Sequence, residues 1–427
     1  MKYAVVIPDG AADQPLPDLG GRTPLQAART PNLDRLARRG RVGRAVTTPP
    51  GFEAGSDICT MSLLGYDPSR FHTGRAPLEA AALGLTPGAK DWIFRLNLVT
   101  VGADDSGPDA GTMLDHSAGA ISDEDARRLV HDLEAFWRER APDLASGLTI
   151  TFGVSYRNIV VDSSGVSHAA TNTTPPHAIP GEPWRESMPA GGEGAERLAH
   201  LMELSRECLQ GHAVNLARAA RGQRPANMAW LWGQGTRPSM PGFEATFGVR
   251  GAMLTPVDLL AGLAALIGLD RPRVPGMTSF HDNDYAAQGR AAAECLDAYD
   301  FVCCHVEAPD EASHQGDWRT KVASIEAIDE HIIGPIVRRL EREGDPAEDP
   351  GAGGWRLLVL PDHATLVRTR KHDATPVPIL LAGAWIRSVV EREFNEEAAA
   401  TSDLLVDPGH DLMEYFLHGG LARVRRR

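Results

Sequence analysis

The chain is poor in the residues that would tie it to several common functional classes. Only five cysteines occur in 427 residues, Cys59, Cys208, Cys295, Cys303 and Cys304. Their number is odd and none sits in a CxxC spacing, so neither a disulfide framework nor a zinc knuckle is indicated, and reduced thiols are expected. Basic residues are also short: 43 Lys and Arg against 57 Asp and Glu leave a net charge of -14. That balance argues against nonspecific nucleic-acid binding, which depends on a basic surface. The basic tail from Arg423 to Arg427 is short enough to be read as a frayed terminus. No run approaches the ~18 apolar residues of a membrane span. The first apolar run, Tyr3 to Ile7, has no secretory cleavage signature before it. A cytoplasmic protein without nucleic-acid or membrane partners is expected, its oligomeric state open.

What is present is a soluble globular composition, 42% hydrophobic and 23% charged, on a chain long enough for two domains. Tyr3 to Ile7, Phe301 to Val306, Arg356 to Leu360 and Ile379 to Ala382 are short apolar runs that read as parallel strands alternating with helices. Thr30 is placed to cap a helix that Pro31 opens, with Leu33, Leu36 and Ala37 on its buried face. The middle differs: Trp92 to Val101, Leu148 to Phe152 and Asn158 to Val161 read as strands around an acidic helix, Asp123 to Arg138. A Gly- and Pro-rich stretch, 173–194, follows, and 345–354 reads as a solvent loop. The expected fold is α/β, a mostly parallel sheet flanked by helices. It is made of 1–87 and 223–427, with 88–222 as a smaller inserted α+β domain.

Three strand ends run into acidic loops: Pro8-Asp9-Gly10, Glu307-Ala308-Pro309-Asp310 and Pro361-Asp362-His363. In an open α/β sheet the carboxyl ends of the strands line one crevice, which would gather Asp9, Asp310 and Asp362. Clustered carboxylates repel unless cations hold them, and His314 and His363 add imidazoles of the kind transition metals prefer. Asp310 and His314 are four apart, on one face of a helical turn, and His372 can return to the site from the next loop. Singly, a strand-end Asp is more often a helix cap and a His a satisfied structural group; all of them together point to metal ligands.

Gly55-Ser56-Asp57 precedes an apolar helical run, Ile58 to Leu64. A serine at a helix N-terminus has backbone N–H groups and the positive dipole end beside it, a setting that favours phosphate, although the same position suits an N-cap. With no His–Asp pair apparent as a base, a divalent ion is the means of activating its hydroxyl.

These segments resemble the archaeal-type, 2,3-bisphosphoglycerate-independent phosphoglycerate mutases of the alkaline phosphatase superfamily. The resemblance is carried by Pro8-Asp9-Gly10, Gly55-Ser56-Asp57 with Leu63-Leu64-Gly65-Tyr66-Asp67-Pro68, Glu307-Ala308-Pro309-Asp310 with His314, Pro361-Asp362-His363-Ala364-Thr365 and Lys371-His372. It also takes in Thr30-Pro31-Asn32-Leu33-Asp34, Tyr156-Arg157, Pro175-Pro176-His177 and Pro225-Ala226-Asn227, nearly the whole chain. It implies an alkaline-phosphatase-like core and a glycolytic isomerase that interconverts 3-phosphoglycerate and 2-phosphoglycerate through a phosphoserine at Ser56. The resemblance further implies two divalent metal ions and no 2,3-bisphosphoglycerate: one ion on Asp9, Ser56, Asp362 and His363, the other on Asp310, His314 and His372. Manganese, zinc, cobalt and magnesium all stay open. The inserted domain would close over the substrate and exclude water. Glycerate-binding groups should be cationic or hydrogen-bonding, with Arg157, His177, Arg95, His116 and Arg237 as candidates. Ala312-Ser313 before His314, Asp373-Ala374 after His372 and Met277-Thr278-Ser279-Phe280-His281 depart from the family pattern, leaving room for altered substrate preference.

A phosphatase or phosphodiesterase would use the same groups and let water take the phosphoryl group. A homoserine-kinase-like transferase would need a nucleotide, for which neither a GxxxxGK[ST] loop nor a strand-linked GxGxxG is present. A non-catalytic metal-binding relative would not require a spare nucleophile.

Overall fold

The computed structural model describes residues 1–103, 110–387 and 390–419; the basic 423–427 tail lies outside them. The strands among these residues are, in chain order, β1 Lys2–Pro8, β2 Arg41–Ala45, β3 Trp92–Val101, β4 Met113–Asp115, β5 Leu148–Val154, β6 Arg157–Asp162, β7 Met228–Thr236, β8 Gly251–Leu254, β9 Phe301–Val306, β10 Trp355–Val359, β11 Ala364–Leu366, β12 Lys371–Asp373, β13 Val377–Gly383 and β14 Leu405–Val406. No helix among them is long and apolar enough to cross a membrane.

The chain divides into two compact units, 1–72 with 240–427, and 73–239. The first is built on a seven-stranded sheet in the order β14-β2-β13-β10-β1-β9-β8. β1 pairs in parallel with β10 and β9, and β9 in parallel with β8. Ala4, Val5, Val6 and Ile7 are all fully buried, as a central parallel strand covered on both faces requires. β13 runs antiparallel to both β10 and β2, not parallel as its sequence suggested. A continuous Ile-Leu-Leu-Ala run is buried on both faces in either direction, so the pattern carries no polarity. The mostly parallel α/β core otherwise forms as expected.

The helix Pro31–Arg39 buries Leu33, Leu36 and Ala37, but its cap comes from elsewhere. Thr30 makes no side-chain cap bond to the helix backbone; the carboxylate of Asp329 accepts from Asn32 N at 3.1 Å and Leu33 N at 2.8 Å instead. A long-range carboxylate thus takes the orphan N–H groups that a local threonine was expected to take.

The second unit carries an antiparallel sheet in which β3 pairs with β6 and β7 along its length and β6 with β5. The helix Asp123–Arg140, capped by Ser122, buries Leu129, Val130, Leu133 and Trp137 against this sheet. The unit is wider than the expected 88–222 at both ends. β7 belongs to it because its Met228–Trp232 run pairs with Val99 to Arg95 of β3. The helix Arg75–Ala82 belongs to it because Ala76 and Ala80 pack on Ile93 and Ile159.

Candidate metal and phosphoryl-transfer site

The site is assembled at the carboxyl ends of β1, β9 and β10, where the parallel register sets Ile7 beside His305 and Val6 beside Val359. Asp9 follows β1, Asp362 follows β10, and Asp310 lies in the first turn of the helix Ala308–Gln315 that follows β9. The structure brings all three carboxylates together, each at least nine-tenths buried. Gly10 has φ +61° and abuts Asp310 and Thr365, so the turn after Asp9 needs both the left-handed backbone and the missing Cβ.

Three imidazoles close the group. His314, one helical turn after Asp310, puts Nε2 3.1 Å from Asp310 Oδ2. β11 and β12 form a hairpin that sets His372 opposite Thr365, and His372 Nε2 lies 3.6 Å from Asp310 Oδ1. His363 Nε2 lies 3.6 Å from both Asp9 Oδ1 and Asp362 Oδ2. Ligand atoms of Asp9, Asp362 and His363 fall within 4.8 Å of one another, and so do those of Asp310, His363 and His372.

The ring orientations are informative. His314 Nδ1 donates to Arg370 O at 3.0 Å, and His372 Nδ1 donates to Ala54 O at 3.0 Å. Both neutral rings then present Nε2 lone pairs to each other across 2.9 Å, an arrangement that requires a cation between them. A proton serves in one form: its hydrogen bond to Asp310 raises the His314 imidazole to about 9. His372 is pushed below its ordinary value by burial and by His363. Asp310 is buried, which opposes ionisation, but the His314 hydrogen bond and the neighbouring imidazoles hold its carboxyl below the usual range.

Asp9 and Glu307 go the other way. Burial, then the charges of Asp362 and Asp310, raises Asp9 well above a normal carboxylate; burial, then Asp9, raises Glu307. Asp9 Oδ1, Asp362 Oδ2 and Glu307 Oε2 are buried with no hydrogen-bond partner among the described residues. Buried oxygens of this kind are costly unless a cation pairs with them, so the donor set fits divalent metal ions of the mixed oxygen and nitrogen class.

Ser56 opens the helix Ser56–Leu63 at its first position, with Gly55 at the N-cap, so its hydroxyl is not spent on capping. Ser56 Oγ donates to Asp9 Oδ2 at 3.1 Å and lies 3.3 Å from His363 Nε2. A His–Asp pair does exist next door, His72 Nε2 to Asp57 Oδ2 at 3.0 Å, but the partners of the Ser56 hydroxyl are Asp9 and His363.

His305 and Thr365 also belong to the site; in the sequence Thr365 stands only as the last residue of Pro361-Asp362-His363-Ala364-Thr365, with no role of its own. His305, fully buried in β9, donates from Nε2 to Asp9 Oδ2 at 2.7 Å, and its Nδ1 faces Thr255 Oγ1 at 3.1 Å. A histidine inside an apolar strand reads as core, and only its register beside Ile7 could have pointed to the site.

In the second unit, four of the five candidate substrate groups gather. Arg95, buried in β3, pairs with Glu79 at 2.9 Å and stacks on Trp232 at 4.1 Å. His177 meets the Trp232 ring edge at 5.3 Å and His116 at 6.1 Å. His116 in turn meets Tyr156, over which Arg157 lies. Packing around the His177 ring, then the charges of Arg95 and His116, hold that imidazole down to about 4. His177 is nevertheless exposed along part of its surface, and the two cationic side chains beside it disfavour a further positive charge. Arg237 is exposed just beyond β7, and the ring and ion-pair contacts of this group among the described residues do not involve it.

A family profile for 2,3-bisphosphoglycerate-independent phosphoglycerate mutase matches residues 37–215. The chain is 43% identical over 419 residues to the enzyme of that name from Methanothrix thermoacetophila, covering 98% of this chain and 100% of the relative. It is 42% identical to one from Methanothermobacter thermautotrophicus, covering 100% and 99%. Among solved structures, a Pyrococcus horikoshii protein superposes with a TM-score of 0.77 at 27% identity, covering 97% of this chain and 96% of that one. The cofactor-independent phosphoglycerate mutase of Thermoplasma acidophilum gives 0.61 at 27% identity, covering 97% and 99%. With two relatives above 40% identity over essentially their full lengths, this chain belongs to the 2,3-bisphosphoglycerate-independent phosphoglycerate mutase family.

Proposed function

We propose that this chain interconverts 3-phosphoglycerate and 2-phosphoglycerate by passing the phosphoryl group through Ser56. The observation that carries the reading is a pair of adjoining clusters, Asp9, Asp362 and His363 at the helix-opening Ser56 hydroxyl and Asp310, His314 and His372 beside His363. Asp9, Ser56, Asp362 and His363 would hold one divalent ion, and Asp310, His314 and His372 a second. Such ions, when bound, withdraw charge from the nucleophile and from the phosphoryl oxygens.

The chain's own groups do the rest. Ser56 Oγ attacks phosphorus, the bond from phosphorus to the glycerate oxygen breaks, and that oxygen takes up the proton given up by the Ser56 hydroxyl. The Ser56 hydroxyl hydrogen already points at Asp9 Oδ2, which is the nearest place for it. The reverse attack by the other glycerate hydroxyl returns the phosphoryl group, so no water enters the balance. Arg95, His116, His177 and Arg157 are proposed to bind the phosphate and carboxylate of the glycerate. An arginine stacked on Trp232 and paired with Glu79 presents its fork in a fixed plane.

The test follows the phosphoryl group. On incubation with 3-phosphoglycerate, 2-phosphoglycerate should form and intact mass should reveal a phosphoryl adduct on Ser56. Both should vanish in Ser56→Ala and after removal of divalent ions by EDTA. Release of inorganic phosphate in place of isomerisation would make the protein a phosphatase and overturn the assignment.

A further inference from the structure

The two sets of ligands are joined by a residue that belongs to neither. Thr365 sits in β11, two residues after His363, and is fully buried. Its Oγ1 donates to Asp310 Oδ1 at 2.5 Å and lies 3.1 Å from His363 Nδ1. A threonine hydroxyl carries one hydrogen, and an ionised carboxylate only accepts. The hydrogen is therefore committed to Asp310, and the bond to His363 must be the reverse, with Nδ1–H donating to Oγ1. That places the ring proton on Nδ1 and leaves Nε2 with its lone pair directed at Ser56 Oγ, 3.3 Å away, and at Asp9 and Asp362.

Thr365 is itself fixed through its backbone. Thr365 N donates to Ala12 O at 3.2 Å, and the fully buried Lys321 ammonium donates to Thr365 O at 2.8 Å and to Ala12 O at 3.3 Å. The Gly10 turn closes over the hydroxyl from the other side, since a Cβ there would stand 2.6 Å from Oγ1. His314 and His372 are oriented by backbone carbonyls; His363 is the one of the three whose orientation is entrusted to a side chain.

We infer that Thr365 is a positioning residue, whose hydroxyl fixes the tautomer of His363 and ties that ring to Asp310, so that the two ligand sets are held in one register. This rests on the metal-dependent reading of the site. Partners of metal-ligating histidines typically carry ~10–100-fold in metal affinity.

Cobalt binding tests this without reference to turnover. Co2+ is titrated into metal-free wild type, Thr365→Val and Thr365→Ser, and the visible absorption of the bound ion is recorded. Thr365→Val should bind Co2+ about 10–100-fold more weakly and with an altered spectrum. Thr365→Ser, which keeps the hydroxyl, should restore both. Thermal unfolding of the three metal-free proteins identifies any general loss of structure, and the comparison with Thr365→Ser holds whatever the methyl group contributes. Unchanged affinity and spectrum in Thr365→Val, or a Thr365→Ser protein as impaired as Thr365→Val, overturns the role of the hydroxyl alone. A wild-type protein that takes up no Co2+ overturns the metal site together with it.

Discussion

His314 and His372 face each other through their Nε2 atoms at 2.9 Å while each Nδ1 is bonded to a backbone carbonyl. One cation has to occupy that gap, and a proton competes for it with a metal ion. Asp310 holds the proton on His314 up to about 9, so below that pH a metal must displace it. Divalent affinity should rise by up to about tenfold per pH unit toward 9, with release of one proton, and level off above. Calorimetry in buffers of different ionisation enthalpy counts that proton. A flat affinity between pH 6.5 and 9 would contradict the competition. In the metal-free protein the sign for stability is opposite. The raised His314 value means that its contribution is full below about 6.5 and is lost as pH climbs through 9.

Gly10→Ala should damage both the fold and the site. The residue has φ +61°, and the added Cβ would lie 2.6 Å from Asp310 Oδ1 and from Thr365 Oγ1 and 2.9 Å from the Asp310 backbone. The strained backbone alone costs about 1–3 kcal/mol, and the collision forces apart the atoms that Thr365 joins. Chemical denaturation should register the loss of stability, and divalent binding should weaken in the same variant. Wild-type behaviour in both would mean that the turn after Asp9 relaxes freely.

The His177 imidazole is held down to about 4, by packing around the ring first and by Arg95 and His116 next. At neutral pH it is uncharged and can only donate or accept a hydrogen bond to a substrate anion. Its ring resonances in NMR should titrate near pH 4, not near the ordinary 6.5. Arg95→Met removes a neighbouring cation and should move the midpoint upward. The same variant loses the stacked, paired guanidinium, so KM for phosphoglycerate should rise more than kcat falls if Arg95 binds substrate in ground and transition state alike.

The site was legible where local grammar and sheet topology agree. A strand end running into an acidic segment occurs three times, and a parallel sheet delivers Asp9, Asp310 and Asp362 to one edge whatever the details of packing. The Asp310–His314 pair follows from helical spacing, and His372 from its closeness to His363 in the chain, although the sequence placed it on a loop and not on the β11–β12 hairpin that carries it. Roles that depend on tertiary register leave no local mark. His305 is one of six buried residues in β9, and its role exists only because β1 sets Ile7 beside it. Thr365 closes the Pro361-Asp362-His363-Ala364-Thr365 segment, but nothing local tells that its hydroxyl reaches Asp310. Asp329 caps a helix almost 300 residues earlier in the chain, displacing the threonine that a local reading prefers. β7 follows the expected return to the core in sequence, yet its partner is β3, and pairing between distant strands leaves no mark in either one.

Lys321 and Asp13 form a fully buried ion pair at 2.9 Å beneath the site. Burial lowers the Lys321 ammonium, and Asp13 offsets part of that; Ala12 O and Thr365 O take its remaining hydrogens. Asp13 in turn accepts from Val367 N at 3.1 Å and Gln14 N at 2.8 Å, so the pair fastens the loop after β1 to β11. Lys321→Met leaves a buried carboxylate without its counter-ion, which costs about 3–5 kcal/mol. Asp13→Asn leaves the ammonium stranded with a similar penalty. If the cost comes from the stranded charge, Asp13→Asn combined with Lys321→Met should be more stable than the sum of the two single losses by at least ~1 kcal/mol. A double variant whose loss equals that sum would show that the two groups act independently. Because Lys321 also holds the Thr365 carbonyl, the double variant should regain stability more fully than it regains divalent affinity. That split separates the electrostatic role of the pair from its role in placing Thr365.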